Sequence, residues 1–246
     1  MSPRRTLAVA GRVLAQVRRD HRTLAMLVVV PALLMTLLWW MFSVVPGGGP
    51  FQQIGPALLA VFPFVVMFLV ASVTTLRERS GGTLERLLAM PLGRLDFLLG
   101  YALAFGLLAA VQAGVAVGVS VGLLDLEVAG SVVLLVVVAV ADAVLGTALG
   151  LLVSAFARTE FQAVQFMPAL VVPQILVCGL IVPREQLPRV LEVVSDALPL
   201  SYAVDAMQHL SRAGDTASVW SDLAVVGGFV AVALGLGAAT LRRRTP

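Results

Sequence analysis

The stretch "SVVLLVVVAVADAVLGTALGLLVS", residues 131–154, contains a single ionisable side chain, that of Asp142. A run of about 18 or more apolar residues is long enough for a helix to cross the hydrocarbon core of a bilayer. The stretch therefore predicts a transmembrane helix. The acid near its middle is the one feature that a plain membrane span does not require.

Five further apolar runs have a comparable length and composition: residues 24–45, 54–76, 97–124, 163–182 and 219–241. The chain is 59% hydrophobic and 13% charged, whereas soluble domains carry about 25% charged residues. The six runs fill most of residues 1–246 and leave no room for a second, soluble domain. We therefore predict an all-α integral membrane protein, a single transmembrane domain of six helices.

The basic residues are all arginine, and the chain contains no lysine. A phosphate-binding P-loop needs a lysine at the β- and γ-phosphates, so the glycine run "PGGGP", residues 46–50, is interpreted as a turn between spans. We expect that the chain is not an enzyme and binds no ATP and no other cofactor itself. Because the arginines flank membrane spans, they indicate cytoplasmic anchors, and we expect no nucleic-acid partner.

Arginine is distributed unequally between the two sets of connecting segments. Both terminal tails, residues 77–96 and residues 155–162 hold most of the arginines, while the opposite set holds only Arg184, Arg189 and Arg212. Cytoplasmic loops carry an excess of basic residues. The pattern predicts cytoplasmic termini, a cytoplasmic loop at 77–96 and an extracytoplasmic segment at 183–218.

The tail before the first span has two faces at helical spacing. Apolar side chains share one face, namely Leu7, Ala10, Val13, Leu14 and Val17. Polar side chains share the other face, namely Arg5, Arg12, Gln16 and Arg19. Such a helix lies in the plane of a membrane interface, so we predict an interfacial helix at residues 4–20; a solvated basic tail is the alternative.

Small residues recur every four positions in three spans. The rows are Gly106, Ala110, Gly114, Gly118 and Gly122; Asp142, Gly146, Gly150 and Ser154; and Gly227, Ala231, Gly235 and Ala239. Small residues on one face let membrane helices approach closely, so we predict packing surfaces. Asp142 shares such a row, and either a hydrogen bond across a helix pair or a role in a transport or proton pathway fits it.

The charged break "LRERSGGTLERLLAMPLGR", residues 76–94, separates the second and third spans. Gly81 and Gly82 interrupt the preceding helix, and Thr83 is placed as the N-cap of a new one. Pro91 ends that helix, because the residue before a proline disfavours the helical conformation. The pattern predicts a helix of about two turns with a leucine face, which either docks into another protein's groove or rests on the membrane surface.

Two segments carry a family resemblance. "RERSGGTLERLLAMP" resembles the loop between the second and third spans of ATP-binding cassette (ABC) type-2 permeases, especially the membrane subunits of daunorubicin-resistance-type drug exporters. "CGLIVPREQLPRVLEVVSDALPLSYAVDAMQHL", residues 178–210, resembles the outer segment before the last span of the same family. With six spans and this length, the resemblance covers the whole chain.

The resemblance implies a coupling helix in residues 77–96 that inserts into a groove of a separate ATPase subunit. The residues that it assigns to this contact are Arg79, Gly82, Thr83, Leu84, Glu85, Arg86, Leu87, Leu88 and Pro91. A second, weaker cytoplasmic contact would involve Arg158 and Glu160. An outer gate region would include Pro199, Tyr202 and Asp205.

The resemblance further implies two membrane subunits with two ATPase subunits that bind ATP and Mg²⁺. A second copy of this chain, membrane lipid and a small-molecule substrate would be its other partners. The function implied is export across the plasma (inner) membrane of a hydrophobic or amphipathic compound, such as a drug, an antibiotic or a lipid-like molecule.

Two other function classes are compatible with an integral membrane chain. An ion-coupled secondary transporter would want several intramembrane ionisable residues, and only Asp142 qualifies. An intramembrane enzyme would need clustered catalytic or metal-binding groups. The two histidines, His21 and His209, are far apart in sequence, and we expect neither a metal site nor catalytic residues.

Overall fold

The computed structural model describes residues 2–44, 49–80, 93–212 and 216–240, and these ranges are helical almost throughout. The α-helices are α1 (Pro3–Arg19), α2 (His21–Phe42), α3 (Gly49–Ser80), α4 (Arg94–Gly122), α5 (Val132–Ser154), α6 (Glu160–Val177), α7 (Arg189–Asp196), α8 (Pro199–Arg212) and α9 (Thr216–Thr240). A 3-10 turn at Arg184–Gln186 precedes α7. No strand occurs within the described ranges.

Six of these helices, α2 to α6 and α9, are long and apolar enough to cross a membrane. This confirms the six-helix fold class predicted from the sequence. The expected end of the fifth span at residue 182 is wrong, because α6 stops at Val177. Gly179, two residues after the end of α6, has a φ of +88°. Glycine adopts this left-handed conformation without strain, and there the chain turns away from the helix axis.

The centre of the bundle is the contact between α3 and α5, which run in the same direction. A Cβ atom added at Gly146 would lie 2.4 Å from the carbonyl oxygen of Phe64, and one added at Gly150 would lie 2.5 Å from that of Phe68. Backbones come this close only where a side chain is absent. The small-residue row of α5 is therefore a packing surface, as predicted.

Most glycines of the other two small-residue rows have no close neighbour among the described residues. A Cβ atom at Gly114, Gly118 or Gly122 of α4 would meet nothing within 4 Å, and the same holds for Gly227 and Gly235 of α9. Gly106, the first member of the α4 row, does meet Val144 of α5, 3.7 Å from its Cβ position. Within the described residues the predicted packing is therefore not seen at these five glycines, and it stays a prediction for the rest of the two rows. The spacing of small residues identifies a helix face that another helix can approach closely, but it does not identify which helix packs there.

The N-terminal helix α1 packs on protein along part of its apolar face. Val9, Ala10, Val13 and Val17 are buried, whereas Leu7, expected on the same face, is 63% exposed. A Cβ atom at Gly100 of α4 would lie 2.6 Å from Val9, so α1 and α4 are in close contact there. Asp20 then caps α2 by accepting hydrogen bonds from the Thr23 hydroxyl, at 2.6 Å, and from the Thr23 amide, at 3.1 Å. These two bonds, the hydroxyl bond first, lower the pKa of Asp20.

Candidate functional site

Most of the coupling residues predicted from the sequence lie outside the described residues. These are Gly82, Thr83, Leu84, Glu85, Arg86, Leu87, Leu88 and Pro91. Arg79 lies in the last turn of α3. The structure therefore describes the two ends between which the loop runs, at the end of α3 and the start of α4.

The end of α3 is held by α1. One guanidinium nitrogen of Arg12 lies 2.5 Å from Oε2 of Glu78 and donates a hydrogen bond to it. The same nitrogen donates to the hydroxyl of Tyr101 in α4, at 3.1 Å. Glu78 is only 5% exposed, and a buried carboxylate is tolerated when it is paired and hydrogen-bonded. Arg12 therefore joins α1, α3 and α4.

The start of α4 is held by α1 as well. Asp96 accepts hydrogen bonds from the backbone amide of Ser2, at 2.9 Å, and from that of Gly93, at 3.3 Å. A carboxylate in the first turn of a helix is stabilised by the partial positive charge of the free amides there. Since α1 contacts Glu78 before the loop and Asp96 after it, this one helix fixes both points from which residues 81–92 emerge.

A second contact on the same side of the bundle links α3 to α6. The guanidinium group of Arg77 pairs with both carboxylate oxygens of Glu160, each at 2.9 Å. Thr159 caps α6 by accepting from the Gln162 amide, and Gln162 in turn accepts from the backbone amide of Arg158. Arg158 and Glu160, the predicted second contact, thus stand at the start of α6, next to the end of α3.

We expect Arg12→Met to lower the stability of the helix bundle by about 1–3 kcal/mol, because it leaves the buried Glu78 carboxyl without its partner. The measurement is thermal unfolding of the detergent-solubilised protein. Arg18→Met is the matched control, since Arg18 is exposed on the same helix. The double variant Arg12→Met/Glu78→Gln should regain part of the loss, and a single variant as stable as the wild type would contradict the assignment.

On the opposite side of the bundle, Arg184 joins three elements. Its guanidinium group pairs with Asp196 at the end of α7 and with Asp205 in α8. It also lies over the ring of Tyr202, 5.2 Å from the ring centroid, where a cation is attracted to the aromatic face. Tyr202 donates its hydroxyl hydrogen to the carbonyl oxygen of Asp196. We call Arg184, Asp196, Tyr202 and Asp205 the outer clasp.

The outer clasp rests on a buried helix. In α8 the side chains of Leu200, Val204 and Met207 are all fully buried. Pro199 begins this helix and is buried too. Burial raises the pKa of Asp205 although the Arg184 guanidinium opposes the shift. The predicted gate residues Tyr202 and Asp205 are thus brought together, and Arg184, which the sequence argument missed, is the group that joins them.

A polar cavity of about 460 Å³ lies beside the outer clasp. Its lining adds Glu185, Gln208, His209 and Arg212 to three members of the clasp. His209 Nδ1 lies 3.2 Å from the hydroxyl of Ser218. Within the described ranges no three histidine, cysteine or acidic side chains are grouped so that they could hold a metal ion.

Asp142 lies on the α5 face that packs against α3 and is fully buried. Neither carboxyl oxygen has a hydrogen-bond partner among the residues that the structure describes. The hydrogen bond across a helix pair that the sequence suggested is therefore not formed in this conformation. The role of Asp142 stays a prediction.

Comparison with known proteins agrees with this architecture. The sequence model of the ABC-2 type transporter family matches residues 4–210. The chain is 27% identical over 161 residues to the probable multidrug ABC transporter permease YbhS of Escherichia coli, with 65% of this chain and 43% of that protein covered. Identity to ABC transporter G family member 20 of Dictyostelium discoideum is 24% over 161 residues, or 65% of this chain and 22% of that protein.

A further relative is the probable multidrug ABC transporter permease YbhR of E. coli, at 26% identity over 155 residues, which cover 63% of this chain and 42% of that protein. The matches thus span less than half the length of each of these relatives. The family model, by contrast, covers most of this chain. The chain, a multi-pass membrane protein with six apolar helices, belongs to the ABC-2 type transporter family.

Proposed function

We propose that this chain is the membrane-spanning permease subunit of an ATP-driven exporter of hydrophobic or amphipathic compounds. The family match over residues 4–210 carries the proposal. Two relatives whose names describe them as probable multidrug permeases support a substrate of that class. The absence of lysine from the sequence supports a division of labour, in which ATP and Mg²⁺ bind to a separate ATPase subunit.

The ATPase docks, in this proposal, on residues 77–96. The proposal is supported by the contacts that hold the two ends of this loop. Force applied to a loop moves helices only if the ends of the loop are attached to them, and α1 contacts Glu78 and Asp96 on either side of this loop. The Arg77–Glu160 pair extends the attachment to α6. Displacement of the loop by an ATPase would therefore reach α1, α3, α4 and α6 together.

The assembly contains two copies of this chain and two ATPase subunits in the plasma membrane, with both termini and residues 77–96 in the cytoplasm. The arginine distribution supports this orientation. In this orientation the outer clasp lies on the extracytoplasmic side, where the exported compound would leave the transporter. A pathway between two copies is consistent with the glycines of α4 and α9, namely Gly114, Gly118, Gly122, Gly227 and Gly235, that have no close neighbour among the described residues.

The test is a charge exchange in the coupling loop. We expect Glu85→Arg/Arg86→Glu to abolish co-purification of the ATPase subunit with the tagged chain from its native membrane, because a docked helix presents its charges to fixed partners. ATP hydrolysis by the purified complex and ATP-dependent uptake of an amphipathic dye into inverted vesicles should fall with it.

The matched control exchanges the charges of an exposed pair on the other side of the protein, Arg189→Glu/Glu192→Arg. Those two side chains form an i,i+3 pair at 2.9 Å in α7. This control should retain the ATPase subunit and dye uptake. Full ATPase binding by the coupling-loop variant would refute docking at residues 77–96, and a wild-type complex without ATP-dependent uptake would refute export.

A further inference from the structure

A groove lies where helices α1 and α2 meet. It has a volume of about 690 Å³ and is lined by Gly11, Leu14, Ala15, Arg18, Arg19 and His21. Only Asp20 separates the end of α1 from the start of α2, so the groove occupies the corner between these two helices. Clefts that hold small ligands have volumes of roughly 300–1,000 Å³, and the groove falls within that range.

The floor of the groove belongs to an apolar stripe of α1. Leu7, Gly11 and Leu14 follow each other at helical spacing, which places them on one side of the helix. Leu7 is 63% exposed, Gly11 is exposed as well, and a Cβ atom added at Gly11 would meet nothing within 4 Å. The described residues therefore leave this apolar stripe open at two of its three positions.

The open apolar surface continues along α2. Ala25 and Val29 follow His21 at helical spacing, and Ala25 is exposed while Val29 is 52% exposed. Met26 and Leu33 beside them are 65% and 57% exposed. Because α2 is long and apolar enough to cross a membrane, we expect these side chains to contact acyl chains. An acyl chain that begins in the groove can therefore run along α2 into the hydrocarbon core.

The rim of the groove is basic. Arg18, Arg19 and His21 are all exposed, and none of them forms an ion pair with another described residue. The two carboxylate oxygens of the neighbouring Asp20 each accept a hydrogen bond from Thr23. A guanidinium group presents a planar set of donors that matches a phosphate group. Two such groups beside an apolar floor favour a ligand that has both a phosphate and a hydrocarbon part.

We propose that the groove binds one anionic phospholipid, with its phosphate held by Arg18 and Arg19 and its acyl chains laid along Leu14 and the exposed side of α2. His21 can add a hydrogen bond to the headgroup through its ring N–H. A free phosphate ion would use the rim alone, and an acidic protein segment would leave the exposed apolar side of α2 uncovered. The site goes beyond the proposed transport function, since it requires only a membrane at the corner of α1 and α2.

A lipid in this groove would join α1 to α2. Because α1 also contacts Glu78 at the end of α3 and Asp96 at the start of α4, the lipid would connect four helices on this side of the bundle. A ligand that binds only the folded protein stabilises it in proportion to its occupancy. The lipid should therefore raise the melting temperature, and the rise measures its binding.

The test is a lipid titration of the full chain, purified in dodecyl maltoside at an ionic strength of about 0.15 M. We expect the melting temperature to rise with phosphatidylglycerol, but not with inorganic phosphate or with phosphatidylcholine, whose phosphate is compensated by a fixed positive charge. Arg18→Gln/Arg19→Gln should weaken the apparent affinity for phosphatidylglycerol by about 10- to 30-fold, the factor expected for two arginines next to an anionic lipid. Without added lipid this variant should melt with the wild type, because both side chains are exposed.

The matched control is Arg4→Gln/Arg5→Gln, which removes the same charge from exposed positions of the same helix. These positions precede Arg18 and Arg19 by 14 residues, or about 21 Å along the helix. Exposed charges are screened beyond about 8 Å at this ionic strength. The control should therefore keep the wild-type affinity for phosphatidylglycerol.

A third variant tests the apolar floor. Gly11→Leu fills the groove without a clash at its Cβ atom and should lose part of the rise that phosphatidylglycerol causes. Without lipid it should melt no lower than the wild type, since leucine is favoured over glycine in a helix. A Gly11→Leu protein with the full lipid-induced rise would place the lipid outside the groove.

The other outcomes that would overturn the site are equally distinct. They are an unchanged affinity in Arg18→Gln/Arg19→Gln, an equal loss in the Arg4→Gln/Arg5→Gln control, and an equal rise with phosphatidylcholine or inorganic phosphate. An unchanged lipid affinity together with loss of the ATPase subunit from Arg18→Gln/Arg19→Gln in native membranes would assign the groove to a protein partner instead.

Discussion

Gly146→Ala is expected to destabilise the helix bundle by about 1–3 kcal/mol, the usual cost of forcing extra volume into a packed interior. The added Cβ would lie 2.4 Å from the carbonyl oxygen of Phe64 and 3.1 Å from the Phe64 Cα and carbonyl carbon. These are backbone atoms of α3, and they cannot rotate away as a side chain can. The two central helices must therefore separate.

The measurement is the melting temperature of the detergent-solubilised protein, with an expected fall of roughly 2–12 °C. Gly118→Ala in α4 is the matched control, because nothing lies within 4 Å of a Cβ atom there. Alanine is favoured over glycine in a helix by about 0.5–1 kcal/mol, so the control should melt at or slightly above the wild-type temperature. A Gly146→Ala protein that melts with the wild type would show that α3 and α5 are not in backbone contact.

The membrane-spanning architecture could be predicted from the sequence because each span depends on local composition. Residues 131–154 predict α5 within one residue of its observed start, since the chain becomes apolar at that point and Ser131 caps the helix by accepting from the Leu134 amide. The small-residue spacing on the same helix likewise predicted the close approach at Gly146 and Gly150. The helical spacing of small residues and the apolar composition of a span are properties of residues close in sequence. They can therefore be recognised without knowledge of the tertiary structure.

The contacts that organise the candidate sites could not be predicted in this way. Arg12 was assigned to the polar face of an interfacial helix, yet it pairs with Glu78, which follows it by 66 positions. Arg184 was counted as a charge that helped to set the topology, and its two carboxylate partners lie 12 and 21 positions away. Such pairs depend on how the helices pack against each other. The residues next to an arginine in the sequence do not indicate which distant carboxylate it will pair with.

The outer clasp and the Arg12 site on the opposite side of the bundle have a similar arrangement. At each side, one arginine joins three elements through carboxylate and aromatic partners: Arg12 with Glu78 and Tyr101, and Arg184 with Asp196, Asp205 and Tyr202. The exposure of the two pairs differs: Arg12 is more exposed than Glu78, at 35% against 5%, whereas Arg184 is less exposed than Asp205, at 16% against 24%. Each arginine supplies several donors in a planar group, so removal of one side chain loosens three elements together.

Arg184→Met is therefore expected to destabilise the outer clasp, with a loss of about 2–3 kcal/mol in stability. The estimate lies below the roughly 3–5 kcal/mol of a fully buried pair, because the side chains of Arg184 and Asp205 are 16% and 24% exposed. Methionine keeps the apolar stem of arginine and removes its charge. The buried Asp205 carboxylate then loses its ion-pair partner.

The pH dependence of this loss follows from the burial of Asp205. Burial already raises its pKa in the folded protein, and removal of the Arg184 guanidinium takes away the charge that opposes the shift. Below the unfolded-state pKa of about 3.9 the carboxyl is neutral in both states and carries no cost; the cost grows as the pH rises from there and is complete above the folded-state pKa. The melting temperature of Arg184→Met should thus fall further below that of the wild type at neutral pH than at acidic pH.

Arg189→Met is the matched control, because it removes an 80% exposed arginine from an i,i+3 pair. It should change the melting temperature little at either pH. Arg184→Met/Asp205→Asn should recover part of the loss at neutral pH, and a deficit in Arg184→Met that is independent of pH would contradict the assignment of its cause to Asp205.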